Sequence, residues 1–142
     1  MINAKTIGSP RARNIHQLII TETVVAMHQE VRARRGWNIL YEATVTDNPY
    51  DNYPDIIILD EHKRLQFSLE ITRRWGMSYD RKKCLQLKRR FPDAEFYIFN
   101  YETDTLYALG DDGLWYNSND VEIFSSLFES PLLNYIYVPE EY

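Results

Sequence analysis

PDIIILDEHKRLQFSLEIT, residues 54–72, is the stretch on which the fold of this chain turns. Its first part, PDIIILD at 54–60, is an apolar run opened by Pro54 and closed by an acid, a pattern that suits a strand covered on both faces. The polar turn EHKR follows at 61–64, and LQFSLEIT at 65–72 returns as a second strand, so the stretch predicts a hairpin. Folding it about that turn draws Asp55, at the start of one strand, toward Glu70, near the end of the other. Two carboxylates on neighbouring strands can hold one or two Mg²⁺ or Mn²⁺ ions, which lower the pKa of a bound water and neutralise charge on a phosphoryl transition state.

Working outward on the N-terminal side, 13–35 repeats apolar residues at helical spacing. Ile15, Leu18, Ile19, Val25 and Ala26 mark the expected core face, and Gly36 is the expected stop. Ile20, Val24, Met27 and Val31 form a second strip on the opposite side, so the helix is expected to be covered twice, by the sheet and by either the C-terminal segment or another subunit in a homodimer. Residues 37–45 are rich in aromatic and β-branched residues and predict a strand, followed by the turn-rich TDNPYDNYP at 46–54. On the other side, 79–91 resumes the helical period with Asp80, Cys84, Leu87 and Phe91 on one stripe, and Pro92 ends it. Strands are expected at 95–100 and 105–109, then an amphipathic piece at 121–128 and an extended tail. The order α-β-β-β-α-β-β, with a crossover through the second helix, implies an α/β fold with a mixed sheet flanked by helices.

The chain has 142 residues, 44% hydrophobic and 26% charged, the composition of one domain spanning 1–142. Residues 1–11 are expected to be a loosely ordered lead-in, and 110–142 an acidic C-terminal extension. The single cysteine, Cys84, excludes an intramolecular disulfide and fits a reducing, cytoplasmic compartment. Neither a signal peptide nor a membrane span is expected.

A formal net charge of −5 conceals a strong segregation. Residues 1–90 hold all sixteen Lys and Arg beside ten acids, a net of +6, whereas 91–142 hold eleven acids and no Lys or Arg. Half of the positive charge lies in 73–90: Arg73, Arg74, Arg81, Lys82, Lys83, Lys88, Arg89 and Arg90, against the one acid Asp80. Because this segment directly follows Glu70, its charges could hold a nucleic-acid backbone beside the carboxylates through sequence-independent phosphate contacts. The alternative is a solvated helix face salt-bridged to the acidic C-terminal third.

Pro54-Asp55 followed by Glu70-Ile71-Thr72, with a helix before and a helix after, resembles the PD-(D/E)xK nuclease superfamily. The resemblance implies a restriction-endonuclease-like fold, Mg²⁺-dependent hydrolysis of DNA phosphodiesters (DNA in preference to RNA), and Asp55 and Glu70 as metal ligands. The motif's usual lysine position is occupied by Thr72. Within the superfamily the chain is similar to the Uma-two group of restriction-endonuclease-like proteins, in which the strand glutamate is followed ten residues later by an aspartate and four further on by a lysine. Here Glu70 and Asp80 keep the spacing and Cys84 stands at the lysine position, with Lys83 adjacent and Lys88 one turn later. The resemblance runs from Ser9 to Leu133 and includes the stretch FSSLFESPLL at 124–133. Lys83 is thereby the candidate substitute for the missing lysine, and Glu22 and Asp80 are candidate auxiliaries.

Each candidate also has an ordinary structural explanation. Glu22, on the expected apolar face of the first helix, could complete the metal site, pair with an arginine or sit at the edge of the stripe. Asp80 could equally be a first-turn acid complementing the helix dipole. Trp75 could stack on a base, but beside Gly76 packing is the expectation. Cys84 is expected to be core. His16, His28 and His62 lack partners at ligand spacing, so no histidine-based site is expected. A glycine-rich phosphate loop and a G-x-S-x-G elbow are both absent. Loss of the motif lysine also motivates a second functional reading, a weak or inactive nuclease relative that binds nucleic acid or a protein partner through the basic helix.

Overall fold

The computed structural model describes residues 11–41 and 54–139. Among these, α1 (Arg11–Arg32) leads into β1 (Asn38–Tyr41), β2 (Ile56–Leu59) and β3 (Leu65–Thr72). Helix α2 (Met77–Arg90) crosses to β4 (Glu95–Asn100), β5 (Thr105–Leu109) and β6 (Trp115–Asn117). The six strands form one open sheet in chain order, every neighbour antiparallel except β3 and β4, which run parallel because α2 carries the chain back between them.

The hairpin at the centre is held in register by Asp60. One of its carboxylate oxygens accepts the backbone N–H of His62 at 2.8 Å and of Arg64 at 2.9 Å, and the other accepts Arg64 Nε and Gln66 Nε2, each at 3.1 Å. Lys63 takes the left-handed conformation the turn needs, with φ 63°. The resulting register sets Ile56 opposite Leu69, which carries Asp55 opposite Glu70.

Alternation along the strands divides the core in two. Ile56, Ile58, Phe67, Leu69, Ile71, Tyr97 and Phe99 face α1, while Ile57, Leu59, Phe96 and Ile98 face α2 with Cys84 and Leu87, joined by Leu65, which a register shift near the turn brings to that side. On β3 the same period sends Ser68, Glu70 and Thr72 to the α2 side, and all three are buried. Strand β2 is buried on both faces, as its unbroken apolar run requires.

Helix α1 turns a different face inward from the one expected. Leu18 and Val25 are exposed at 42% and 64%, and Ala26 and Glu22 are also exposed. The strip Ile20, Val24, Met27 and Val31, joined by Ile19 and Thr23, is the buried one. Branched and long side chains on that strip fill the α1 side of the sheet better than the shorter run containing Ala26 would. Part of its cover comes from the C-terminal segment. Ile123, Phe128, Leu132 and Ile136 are buried in the same cluster, and Tyr137 N–H donates to Thr23 Oγ1 at 3.0 Å.

Residues 121–128, expected to be an amphipathic piece, form an irregular segment pinned by Glu95. That carboxylate accepts Ser125 Oγ at 2.6 Å and Ser126 N–H at 3.1 Å. The acidic extension contributes the further strand β6, whose pairing places Trp115 beside Leu109. The lead-in 1–10, the second half of the strand expected at 37–45 and most of the 46–54 connection lie outside the described residues. No helix among the described residues is long and apolar enough to cross a membrane.

Candidate functional site

The C-terminal end of β3 is where the hairpin, the start of α2 and the first turns of α1 meet. Pairing of β2 with β3 makes Asp55 and Glu70 interlock: Asp55 N–H donates to Glu70 Oε1 at 2.9 Å, and Ile71 N–H donates to Asp55 Oδ2 at 2.9 Å. Each carboxylate thus caps a backbone donor of the other's strand, which fixes both side chains before any ligand arrives.

Helix α2 supplies the cation. Lys83 Nζ lies 2.6 Å from Glu70 Oε2, with the lysine side chain 20% exposed and the glutamate 6%. Asp80, three residues earlier on the same helix, is buried beside them next to Thr72 and Glu70. Thr72 itself is packed beneath the short 3₁₀ turn Arg74–Gly76, where a Cβ added to Gly76 would lie 2.5 Å from Thr72 Oγ1. A small residue at 72 and a glycine at 76 belong to one tight approach, and the ammonium comes from α2 instead of from β3.

Charges at the site are strongly interdependent. Burial and the neighbouring Asp55 charge push the Glu70 carboxyl well above its usual range, with Lys83 opposing them. Burial would also raise Asp55, but the hydrogen bond from His16, the interaction with the Glu70 side chain, the His16 charge and the Ile71 N–H outweigh it and leave Asp55 below its ordinary value. Asp80 is raised, chiefly by burial, against the Thr72 and Lys83 contributions. Lys83 loses stability as a cation through burial but regains more from Glu70, Asp80 and Asp55, so it stays protonated. Two facing carboxylates that resist sharing two negative charges are a donor set that a divalent cation would relieve. Among the described residues, however, no group of three or more His, Cys, Asp and Glu side chains stands ready-made to hold an ion.

His16, set aside on sequence for lack of partners at ligand spacing, joins the site from α1 as a hydrogen-bonding residue. Its Nε2 lies 2.8 Å from the Ile71 carbonyl and 3.1 Å from Asp55 Oδ2. Facing two acceptors, Nε2 must carry the hydrogen, so the ring donates to both and steadies Asp55 from the α1 side. The signal was available in the helical phase: His16 lies one turn before Ile20 on the buried strip.

Of the other candidates, Glu22 sits on the exposed side of α1, away from the strip that carries His16, and is not brought to the site. Arg81 is turned to the sheet, its guanidinium 5.2 Å from the Tyr107 ring centre. Lys88 donates to the Ala94 carbonyl at 3.0 Å and reaches Asp111 at 3.5 Å. Lys82, Arg89 and Arg90 are exposed along α2, and Arg74 is exposed at its start. Arg73 is half-buried and lies over Trp75, 4.9 Å from the ring centre. Trp75 is 76% exposed, so the expected packing role is overturned: the 3₁₀ turn lifts the ring off the core. Cys84 is core as expected, and burial together with the Glu70 charge pushes its thiol up to about 12.

A cleft of about 320 Å³ opens beside these groups, walled by His16, Thr72, Arg73, Trp75 and Tyr101. It lies at the carboxyl ends of the parallel pair, β3 and β4, where Tyr101 N–H donates to the Thr72 carbonyl at 3.0 Å. Comparison with models of protein families and with characterised proteins finds no match to the chain.

Proposed function

We propose that the chain is a nuclease of the PD-(D/E)xK type, with a restriction-endonuclease-like fold, hydrolysing DNA phosphodiesters with Mg²⁺ or Mn²⁺. One observation carries this reading. Lys83 reaches Glu70 at 2.6 Å from α2, so the ammonium that Thr72 cannot provide stands beside the carboxylate pair all the same. Asp55 and Glu70 would hold the ion, which when bound lowers the pKa of its water and offsets charge on the phosphoryl group.

The chain's own residues do the rest. His16 and the Ile71 N–H orient Asp55, and the Asp55 N–H orients Glu70. The protonated Lys83 Nζ favours the Glu70 anion against burial and the Asp55 charge, and is the group positioned to steer an attacking water. Exposed Arg74, Lys82 and Arg89 on the flanking turn and helix, with Arg73 beside them, would receive the nucleic-acid backbone.

Cleavage of plasmid and single-stranded DNA in Mg²⁺ or Mn²⁺ tests the reading. Asp55→Ala and Glu70→Ala should each abolish cleavage, and activity that survived both would overturn the assignment.

A second reading draws on the engagement of the carboxylates. Glu70 spends one oxygen on Asp55 N–H and the other on Lys83, while one Asp55 oxygen takes Ile71 N–H and His16. A site so fully satisfied from within suits a protein that binds nucleic acid without cutting it. Calorimetry separates the two: no heat with Mn²⁺, together with salt-dependent DNA binding, favours the second. Homodimerisation through α1 has less support. Leu18 and Val25 are its exposed large apolar residues, far short of the roughly 800 Å² per partner of a standard interface.

A further inference from the structure

The cleft beside the carboxylates has features that phosphate binding alone leaves unexplained. Trp75, on its rim, exposes 76% of its surface, the largest exposure of any large hydrophobic residue among those described. Leaving an indole in water forgoes the burial that normally drives such a ring into the core. Its partner Arg73 covers the ring at 4.9 Å, which orients the indole and leaves ring surface open. One turn along, Tyr79 is 70% exposed, flanked in sequence by the exposed cations Arg74 and Lys82. Exposed aromatics interleaved with cations are the composition of surfaces that stack unpaired bases while tracking a backbone.

The shape of the cleft narrows the ligand. Its volume of about 320 Å³ is at the small end of small-molecule clefts, sized for one ring system and not for a double helix. A base within a duplex has both faces stacked and cannot enter such a space unless it leaves its partner. Thr72, in the cleft wall, is two residues from Glu70, and His16, also in the wall, contacts Asp55. A base lodged there would therefore belong to a nucleotide adjoining the phosphate at the carboxylate pair.

We infer that the cleft at Trp75 is a subsite for a single unpaired nucleobase, so that the substrate is single-stranded or locally opened nucleic acid. This deepens the nuclease reading and rests on it for the word substrate, but the binding claim can be tested separately. Full-length protein is titrated in EDTA with a short fluorescein-labelled oligothymidine, with the same oligomer lacking one base at successive positions, and with a blunt duplex of equal length. Trp75→Ala should weaken oligothymidine binding by about tenfold, Trp75→Phe should retain most of it, and duplex binding should change little. Removing the base at one position should cost wild-type protein a similar factor and Trp75→Ala nothing further.

Equal weakening of duplex and single strand, or indifference to the missing base at every position, would overturn the subsite. Cleavage by wild type, abolished by Asp55→Ala, with such indifference would leave the nuclease reading standing alone. Base-dependent binding through Trp75 in a protein that cuts nothing would instead retain the subsite and remove the nuclease. Circular dichroism of Trp75→Ala guards against misfolding, and the Phe variant keeps the test valid if the Ala variant does not fold.

Discussion

The two faces of the sheet are built for different ends. On the α1 side, eighteen buried apolar residues among those described form one cluster, sealed by the C-terminal segment. On the α2 side the corresponding cluster has nine, and its border at the end of β3 is occupied by Glu70, Thr72 and Asp80, all buried. Burying charge beside a small apolar cluster stabilises little, since desolvation offsets most of the attraction between Glu70 and Lys83. The difference teaches that the α1 face carries the stability which lets the α2 face hold an electrostatically strained site.

The most severe way to break this contrast is to open the larger core. Phe67 is fully buried, with its ring centre 5.2 Å from that of Tyr97 and 5.7 Å from that of Phe128, so it ties the sheet to the C-terminal segment. Phe67→Ala should cost about 3–5 kcal/mol in urea unfolding. A loss below about 1 kcal/mol would mean that the α1 face is not the stabilising one.

Lys83→Ala sharpens the other half. If the ammonium steers water and favours the Glu70 anion, cleavage should fall by about a hundredfold or more, with DNA affinity nearly unchanged because Lys83 is mostly buried. A matching loss of affinity would instead give Lys83 the phosphate-contacting role proposed for its exposed neighbours.

How much of this was legible depends on the length scale of the signal. The hairpin, the second helix and strands β4 and β5 follow from local period and turn chemistry, and Asp55 meets Glu70 because an antiparallel register is a local property. The inward face of α1 was not legible locally: Leu18 and Val25 are as apolar as Ile20 and Val24, and only the sheet and a tail about a hundred residues away choose between them. Glu22 was wrongly drawn inward by the same error of phase, whereas His16 was passed over because it was weighed only against histidine and cysteine partners at ligand spacing. Lys83 was singled out through the family resemblance, as the neighbour of the lysine position that Cys84 fills, while the residue pattern alone shows it only as one of eight cations. Trp75 misled because its environment is set by a 3₁₀ turn that Gly76 and Thr72 create together.

Glu70→Gln probes the strain itself. With its carboxyl raised in the fold, Glu70 favours the native state while protonated, and that contribution is lost as pH rises from its ordinary value of 4.5 through the raised one. Asp55 works oppositely, losing its contribution only as pH falls below 3.8. In EDTA, Glu70→Gln should therefore melt at or above the wild-type temperature at pH 8, by a few degrees, with the gap closing toward pH 4.5. A variant less stable than wild type at pH 8 would show that Glu70 supports the α2 face more than it strains it.

The smallest effect asks whether the two faces open together. Cys84 is completely buried on α2, and with its thiol at about 12 only roughly one molecule in ten thousand would carry a thiolate at pH 8. Reaction with a disulfide reagent then needs local opening of the α2 face, which exposes the sulfur and returns its pKa toward the usual range. If the smaller, charge-bearing cluster is the weaker one, labelling should proceed about tenfold faster than global unfolding allows, and a moderate urea concentration should leave that excess in place. Labelling that tracks global unfolding at every urea concentration would mean that the faces share one cooperative unit, and that α2 cannot lift from the sheet while the α1 core stays closed.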